Sequence, residues 1–371
     1  MKKIIINIVL IAVVFLCTNC KKEKTETSTP GIQIVADYRS TFVIKADGTL
    51  WATGNNYYGL LGDGTNVNRN ALVKVADSVV AVSSSKGLGK FTMVLKKDKT
   101  LWAVGINTSG QFGNGTNISS TRLIKVMDNV KAVTVGIYRT MIIKTDNSLW
   151  ATGENSYGQL GLGNTTDRRT FEKVMDNVKD VSMGIDHTLI LKLDNTLWAS
   201  GRNYDGVFGN GTNNFITNVP TKTMENVSAI SVGFINSFII KTDNTLWAAG
   251  HDYSGSFGTG QSDNIYLNFI KVLDNVKKVV SRNSRTFAIK TDNSLWVSGS
   301  NNYGIYGDGT TNGTDTFKKL QDNISDVATG DYHSVILKTD NTIWSTGYNE
   351  FGQLGDGTFT DRITFAPMYI P

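Results

Sequence analysis

Residues 140–153 read TMIIKTDNSLWATG, and this stretch decides the fold. Residues 141–143 form one apolar run, residues 149–151 form a second, and the pair Asp-Asn stands between them at 146–147. Asp and Asn tolerate the positive φ angles that a tight hairpin turn requires. The stretch therefore predicts two short antiparallel strands joined by a turn.

The same hairpin recurs along the chain, and each copy carries one tryptophan. Successive tryptophans are separated by 51, 48, 48, 49, 49 and 48 residues. Glycines follow every tryptophan at offsets of 3, 8, 11 and 13 residues, which accounts for 28 of the 37 glycines in the chain. The repeating tryptophans are Trp51, Trp102, Trp150, Trp198, Trp247, Trp296 and Trp344. A period of this length indicates a repeat architecture.

Each unit contains material for four strands and no long amphipathic helical pattern. VKAVTVG at 130–136 and its relatives precede the hairpin, and LIKVMDNV at 123–130 and its relatives follow the glycine-rich stretch. Four short antiparallel strands repeated seven times predict an all-β, seven-bladed propeller over residues 31–371. We expect the tryptophans to pack between neighbouring sheets, the glycines to adopt positive φ, and the Asp four residues before each Trp to form a turn.

The first thirty residues have a different character. Lys2-Lys3 precede an apolar run at 4–16, which has the length of a signal-peptide core, and residues 21–30 read KKEKTETSTP. The segment ending at Cys20 resembles the lipobox of bacterial lipoproteins. The resemblance implies a signal peptide at 1–19, lipidation (palmitate) of Cys20, and a solvated tether to residue 30. Cys17 as the lipidated residue, or a plain secretory signal, are the alternatives.

Composition excludes several classes of function. The net charge is +5, but about +2 remains once the five lysines and two glutamates before residue 31 are set aside. So small a charge argues against nucleic-acid binding. The two cysteines exclude a disulfide framework, and three histidines leave little room for metal chemistry. We expect no metal, no cofactor and no nucleic acid.

The last unit has the clearest family signature. It contains GDYHS at 330–334, Asp340, Trp344, Gly347 and GQLGDG at 352–357. The chain resembles the regulator-of-chromosome-condensation repeat family, and this resemblance implies a seven-bladed propeller. The founding member is a nuclear exchange factor for a small GTPase that docks on nucleosomes, so guanine nucleotide exchange is one alternative. Similar secreted bacterial propellers are inhibitors that cover an enzyme's active site.

Candidate site residues lie where the repeat varies. His187 and His333 stand eleven residues before their tryptophans, where other units have Ser, Phe, Arg or Asn, and we expect this variable position to be exposed or to line the channel mouth. Irregular loops after the last glycine of each unit should lie together on one face, where loops on a rigid scaffold commonly carry recognition. The candidate aromatic anchors are Tyr58, Tyr157, Phe215, Tyr253, Tyr266, Tyr303 and Phe351.

These observations predict an exported, lipid-anchored protein of the cell envelope that binds a protein partner and is not an enzyme. We expect a monomer. A hydrolase or lyase with its site in the central channel is the other class, because a catalyst needs convergent titratable groups in one pocket. The chain ends near 32–36 and 363–370 should meet in or beside one blade, since a propeller avoids a long open edge.

Overall fold

A computed structural model of the chain describes residues 31–213 and 216–371. Within these residues, 28 strands form seven four-stranded antiparallel sheets, each built from consecutive strands. The predicted seven-bladed propeller is therefore confirmed. The predicted signal peptide at 1–19, Cys20 and the tether to residue 30 lie outside the described residues.

The strands are numbered in chain order, four to a blade. Blades one and two contain β1 (Gln33–Ala36), β2 (Ser40–Ile44), β3 (Leu50–Gly54), β4 (Arg69–Ala76), β5 (Val79–Ser84), β6 (Phe91–Lys96), β7 (Leu101–Gly105) and β8 (Ser120–Met127). Blades three and four contain β9 (Val130–Val135), β10 (Arg139–Lys144), β11 (Leu149–Gly153), β12 (Arg168–Met175), β13 (Val178–Met183), β14 (His187–Lys192), β15 (Leu197–Gly201) and β16 (Thr217–Met224).

The remaining blades follow the same order. Blades five to seven contain β17 (Val227–Val232), β18 (Asn236–Lys241), β19 (Leu246–His251), β20 (Ile265–Leu273), β21 (Val276–Arg282), β22 (Arg285–Lys290), β23 (Leu295–Gly299), β24 (Thr314–Gln321), β25 (Ile324–Thr329), β26 (His333–Lys338), β27 (Ile343–Gly347) and β28 (Arg362–Pro367). Short 3₁₀ turns lie at Gly87–Gly89, Tyr204–Gly206, Tyr253–Gly255 and Asn302–Gly304. No helix in the described part of the chain is long and apolar enough to span a bilayer.

The hairpin at the centre of each blade follows the chemistry predicted from its turn. In the third blade, Asn147 has a φ of 65°, and the Asp146 carboxylate accepts hydrogen bonds from the backbone N–H and the hydroxyl of Ser148. The Ser148 hydroxyl in turn accepts the indole N–H of Trp150 at 2.8 Å. All seven blades repeat this chain of hydrogen bonds. The repeated Asp is a turn former, as predicted.

The core lies between blades. In one cluster Phe91 and Met93 of the second blade pack with Phe112 and Ile142, and Trp150 of the third blade lies against them. Each tryptophan is partly buried against such a cluster, so the predicted packing between neighbouring sheets is confirmed. The glycines at the four fixed offsets all have positive φ, also as predicted.

The ring closes without a shared blade. The N-terminal strand β1 belongs to the first blade and the C-terminal strand β28 to the seventh. The ends nevertheless meet, because Ile34 and Met368 pack in one core cluster. The N–H of Gly357 donates to the carbonyl of Asn70 at 2.8 Å across this junction, as Gly309 donates to Ile363 between the sixth and seventh blades. The closing interface therefore repeats the bonding found elsewhere in the ring.

The propeller has two unlike faces. Because strands alternate in direction, the first and third connections of every blade lie on one face, here called the loop face. The second connections lie on the opposite, turn face. The first connection of the second blade, residues 85–90, is longer than its counterpart at 136–138. This extension explains the 51-residue spacing between the first two tryptophans.

Candidate interaction surface on the loop face

Five aromatic rings gather on the loop face where the sixth, seventh and first blades meet. Ring centroids are 5.6 Å apart for Tyr38 and Tyr332, and 5.2 Å apart for Tyr303 and Tyr348. Tyr332 also contacts Tyr303 and Tyr348, and Phe351 lies 6.3 Å from Tyr348. These five residues form what we call the aromatic cluster. Most pairs meet edge to face or tilted, the geometry that the ring quadrupoles favour.

Arg39 lies among these rings. Its guanidinium carbon is 4.5 Å from the ring centroid of Phe351 and 4.6 Å from that of Tyr38, with Tyr332 and Tyr348 within 6 Å. A cation over aromatic faces gains roughly 0.5–2 kcal/mol, depending on its exposure to solvent. The Nε atom of Arg39 is shielded from solvent and has no hydrogen-bond partner in the described residues. The cluster thus holds a cation whose donors are not all used.

A pocket of about 290 Å³ adjoins the cluster. It lies between the first two blades, and Lys90 of the second blade places its ammonium 4.5 Å from the ring centroid of Tyr58 at its edge. Asp37 also lines the pocket and is 3% exposed. Burial raises the pKa of the Asp37 carboxyl from 3.8 to about 6. Hydrogen bonds from the Ser84 hydroxyl and from the backbone N–H groups of Ser40 and Arg39 act in the opposite direction, because they stabilise the charged form.

The predicted aromatic anchors differ in their outcomes. Tyr58, Tyr253 and Tyr303 are exposed on the loop face, at 45%, 43% and 45%. Tyr157 and Phe351 are half-buried on the same face. Tyr266 lies in β20, where it packs partly buried against Phe257 and the core between blades. Phe215 lies outside the described residues. No single cluster unites the predicted anchors; Tyr303 and Phe351 belong to the aromatic cluster.

The expectation that His187 and His333 are exposed or line the channel mouth is wrong. Their exposed fractions are 2% and 0%. His187 Nε2 lies 3.2 Å from the Ser237 hydroxyl of the next blade, and His333 Nε2 lies 2.9 Å from the Thr41 hydroxyl. The residue type at this repeat position varies between units, and each histidine contacts a different hydroxyl group of the neighbouring blade.

The arginines at the same repeat position behave alike. Arg139 donates to the backbone carbonyls of Ile185, Gly184 and His187 in the next blade, and Arg285 donates to those of Gly330 and Asp331. In the units that carry histidine or arginine, the variable position therefore forms hydrogen bonds between blades.

Burial lowers the pKa of both histidines to about 3, and neighbouring cations add to the effect. Both rings are therefore neutral near pH 7. The Thr41 hydroxyl donates its hydrogen to the carbonyl of Gln353 at 2.7 Å, so it accepts from the His333 ring. His333 consequently does not serve Thr41 as a general base, which would require the opposite direction of donation.

The central channel is covered in part by residues 85–90. The Lys86 ammonium reaches across it and donates to the carbonyls of Met183 and Val232 at 2.9 and 2.6 Å. Beneath lies a space of about 230 Å³ lined mainly by valine, serine and alanine of the inner strands. The Arg282–Asp331 ion pair is buried at its edge. Among the described residues, no three His, Cys, Asp or Glu side chains gather to hold a metal ion.

Comparison with known proteins agrees with this geometry. Sequence profiles of the regulator of chromosome condensation (RCC1) repeat match residues 130–159, 178–207 and 324–353, and a second profile of the same repeat matches residues 146–191. The chain carries RCC1 repeats. The matched segments join strands to the glycine-rich loops that follow the tryptophans, the part of the blade where the recurring residues are densest.

Three solved structures share the fold at low sequence identity. Human WBSCR16 is 19% identical with a TM-score of 0.75, covering 90% of this chain and 94% of that chain. Yeast RCC1 (Prp20), solved bound to Kap60, is 15% identical with a TM-score of 0.76, covering 95% and 91%. Another structure of Prp20p from Saccharomyces cerevisiae, a protein described as binding Gsp1p and histones, is 17% identical with a TM-score of 0.75, covering 91% of this chain and 87% of that chain.

The aromatic cluster is not part of the RCC1 repeat pattern. Sequence reasoning missed Tyr38, Arg39, Tyr332 and Tyr348 because they do not recur at one position in every unit. One signal was present, since the similar segments ADYRS at 36–40 and GDYHS at 330–334 stand at nearly the same place in the first and last units, one residue out of register relative to their tryptophans. These two segments become neighbours only when the ring closes.

Proposed function

We propose that this RCC1-repeat propeller is a protein-interaction module that binds a protein partner through the aromatic cluster on its loop face. The observation that carries the proposal is the gathering of five rings around Arg39 beside an open pocket. Tyrosine and arginine are enriched at the centres of protein interfaces, where they supply most of the binding energy. Yeast Prp20, which shares the fold, is itself described with protein partners: Kap60, Gsp1p and histones.

Site-specific photocrosslinking in the native cell tests this proposal. A benzophenone amino acid replaces Tyr303 on the loop face in one variant and Leu193 on the turn face in a matched variant. The two residues are 45% and 47% exposed, so their access to solvent is nearly the same. We expect a discrete adduct with another protein at position 303 and none at position 193. Adducts of equal yield at both positions, or an adduct at 193 alone, contradict the proposal.

We further propose that the module is exported and held at a membrane by a lipid on Cys20. The support is the apolar run at 4–16, the lipobox-like segment that ends at Cys20, and the charged tether at 21–30. Stable anchoring takes two membrane signals, such as two acyl chains or one chain with a basic patch, so loss of acylation should release the protein.

The matched pair Cys20→Ala and Cys17→Ala tests the anchor. Fractionation should find the first variant in the soluble envelope fraction and the second in the membrane, and globomycin should shift the size of the wild-type chain. Unchanged membrane association and size for Cys20→Ala would show that Cys20 carries no lipid. Release by Cys17→Ala alone would assign the lipid to Cys17.

A further inference from the structure

The pocket beside the aromatic cluster combines apolar walls with two cations. Tyr38, Tyr57, Tyr58 and Phe351 supply aromatic surface, and Arg39 and Lys90 supply the charges. Tyr57 and Tyr58 are exposed at the rim and lie 6.4 Å from each other. The pocket volume of about 290 Å³ is at the lower end of ligand pockets, which run from about 300 to 1,000 Å³. It fits a short segment of a partner rather than a large cofactor.

Among the residues that the structure describes, the two cations have no carboxylate partner. Within the described residues, neither Arg39 nor Lys90 forms an ion pair. Each instead lies over aromatic rings. A second arginine of the loop face makes the contrast clear, since Arg202 also lies over two tyrosines but has Asp186 within 3.7 Å.

Of the described residues that line the pocket, the one acidic residue, Asp37, forms hydrogen bonds with other groups. The Asp37 carboxylate accepts hydrogen bonds from the Ser84 hydroxyl at 2.5 Å and from the backbone N–H groups of Ser40 and Arg39. Its oxygens therefore face the protein interior, and the side chains of Arg39 and Lys90 are left with donors for an external anion. Guanidinium and ammonium groups over aromatic rings bind a carboxylate by charge-assisted hydrogen bonds while the rings pack against its apolar neighbours.

We propose that this pocket binds an acidic peptide segment of the partner protein, in which Asp or Glu stands beside an aromatic or apolar residue. The carboxylate meets Arg39 and Lys90, and the neighbouring side chain packs on Tyr57, Tyr58 and Phe351. This inference rests on the proposed function, because it names the chemistry of the partner at the same face. A peptide carboxylate fits better than a nucleic acid, since the body of the chain carries a net charge of only about +2.

Binding of two matched peptides to the full chain tests the inference. In one capped peptide a phenylalanine stands between two glutamates, and in the other glutamines replace the glutamates. We expect the glutamate peptide to bind at least about tenfold more tightly, and its affinity to fall in about 0.5 M salt, because the paired charges are partly exposed. Equal binding of both peptides, or binding of neither, overturns the inference.

Substitutions locate the contact. Arg39→Met and Lys90→Met keep the apolar bulk of the side chain and remove its charge. Each substitution should lower the affinity for the glutamate peptide by about tenfold, as expected for a contact at the centre of an interface. Lys144→Met is the matched control, because Lys144 also covers an aromatic ring, that of Trp150, away from the pocket. An equal loss in Lys144→Met contradicts the assignment. Displacement of the peptide by a single-stranded oligonucleotide at equal concentration would assign the cations to nucleic acid instead.

The two proposals fail separately. If position 303 crosslinks to a protein in cells but the pocket shows no preference for the glutamate peptide, then the loop face binds a partner and the proposal of an acidic segment is wrong. If position 303 gives no adduct with any protein while the glutamate peptide binds, the pocket recognises carboxylates but the interaction module is wrong.

Discussion

The Nε2 atom of His333 lies 2.9 Å from the Oγ1 atom of Thr41, and this buried contact joins the last blade to the first. The two residues are 292 positions apart in the chain. Thr41 also donates to the carbonyl of Gln353, so its hydroxyl bridges two groups of the seventh blade. No strand is shared between the end blades, and polar contacts of this kind, together with the packing of Ile34 and Met368, hold the ring closed.

Thr41→Val should destabilise the propeller through this contact. Valine keeps the shape but leaves the His333 N–H and the Gln353 carbonyl buried without a partner, at a cost of about 1–3 kcal/mol. The free energy of unfolding in urea measures the loss. Thr41→Ser, which keeps the hydroxyl, is the control and should lie closer to wild type. An unchanged midpoint for Thr41→Val would show that the contact does not stabilise the ring.

Gly330→Ala should destabilise the ring far more than Gly136→Ala, although both glycines precede the variable position by three residues. A Cβ at 330 would lie 2.1 Å from the carbonyl oxygen of Asp37 and 2.3 Å from the His333 ring. The atoms nearest to a Cβ at 136 would belong to the Arg139 side chain, at 3.1 Å or more, with no backbone atom closer. Overpacking of this kind costs about 1–3 kcal/mol or more. Thermal unfolding of both variants checks the ranking, and equal melting temperatures contradict it.

Asp37 should make the fold less stable as pH rises. Its pKa is raised from 3.8 to about 6 by burial, so the folded chain binds this proton more tightly than the unfolded chain. The stabilisation that comes from this tighter proton binding is fully present below pH 3.8 and is lost as the pH rises through about 6. Asp37→Asn should flatten this part of the stability profile, measured by urea unfolding across that window. If the unfolding free energy of Asp37→Asn still falls with pH across this window, the pH dependence comes from another group.

Lys86→Met should release residues 85–90 from the channel. The ammonium of Lys86 bonds to carbonyls of the fourth and fifth blades, and methionine cannot donate to either. We expect hydrogen exchange in this loop to speed up by about tenfold, as for the loss of about 1.4 kcal/mol of local stability. Lys97→Met on the turn face is the control. Equal exchange in the loop for wild type and Lys86→Met would contradict the role of Lys86.

The recurring residues could be interpreted from the sequence because their roles are local. The hydrogen bonds among Asp146, Ser148 and Trp150 lie within five consecutive residues, and the positive φ of Gly153 occurs at the end of a strand within the same blade. Period and turn chemistry therefore predicted the strands, the turn-forming Asp and the packing of tryptophan. The variable position was misjudged, since its partners lie in the next blade and differ from blade to blade, as Ser237 and Thr41 do for the two histidines.

The sequence by itself determined the seven blades, because each is built from contiguous residues whose turns and apolar runs recur every 48 to 51 positions. Only the tertiary structure decided where the candidate site lies. Tyr38 and Arg39 stand near the start of the propeller, and Tyr332, Tyr348 and Phe351 stand near its end. The closed ring places these residues side by side, because the first blade packs against the last. No local sequence pattern predicts this contact between distant segments.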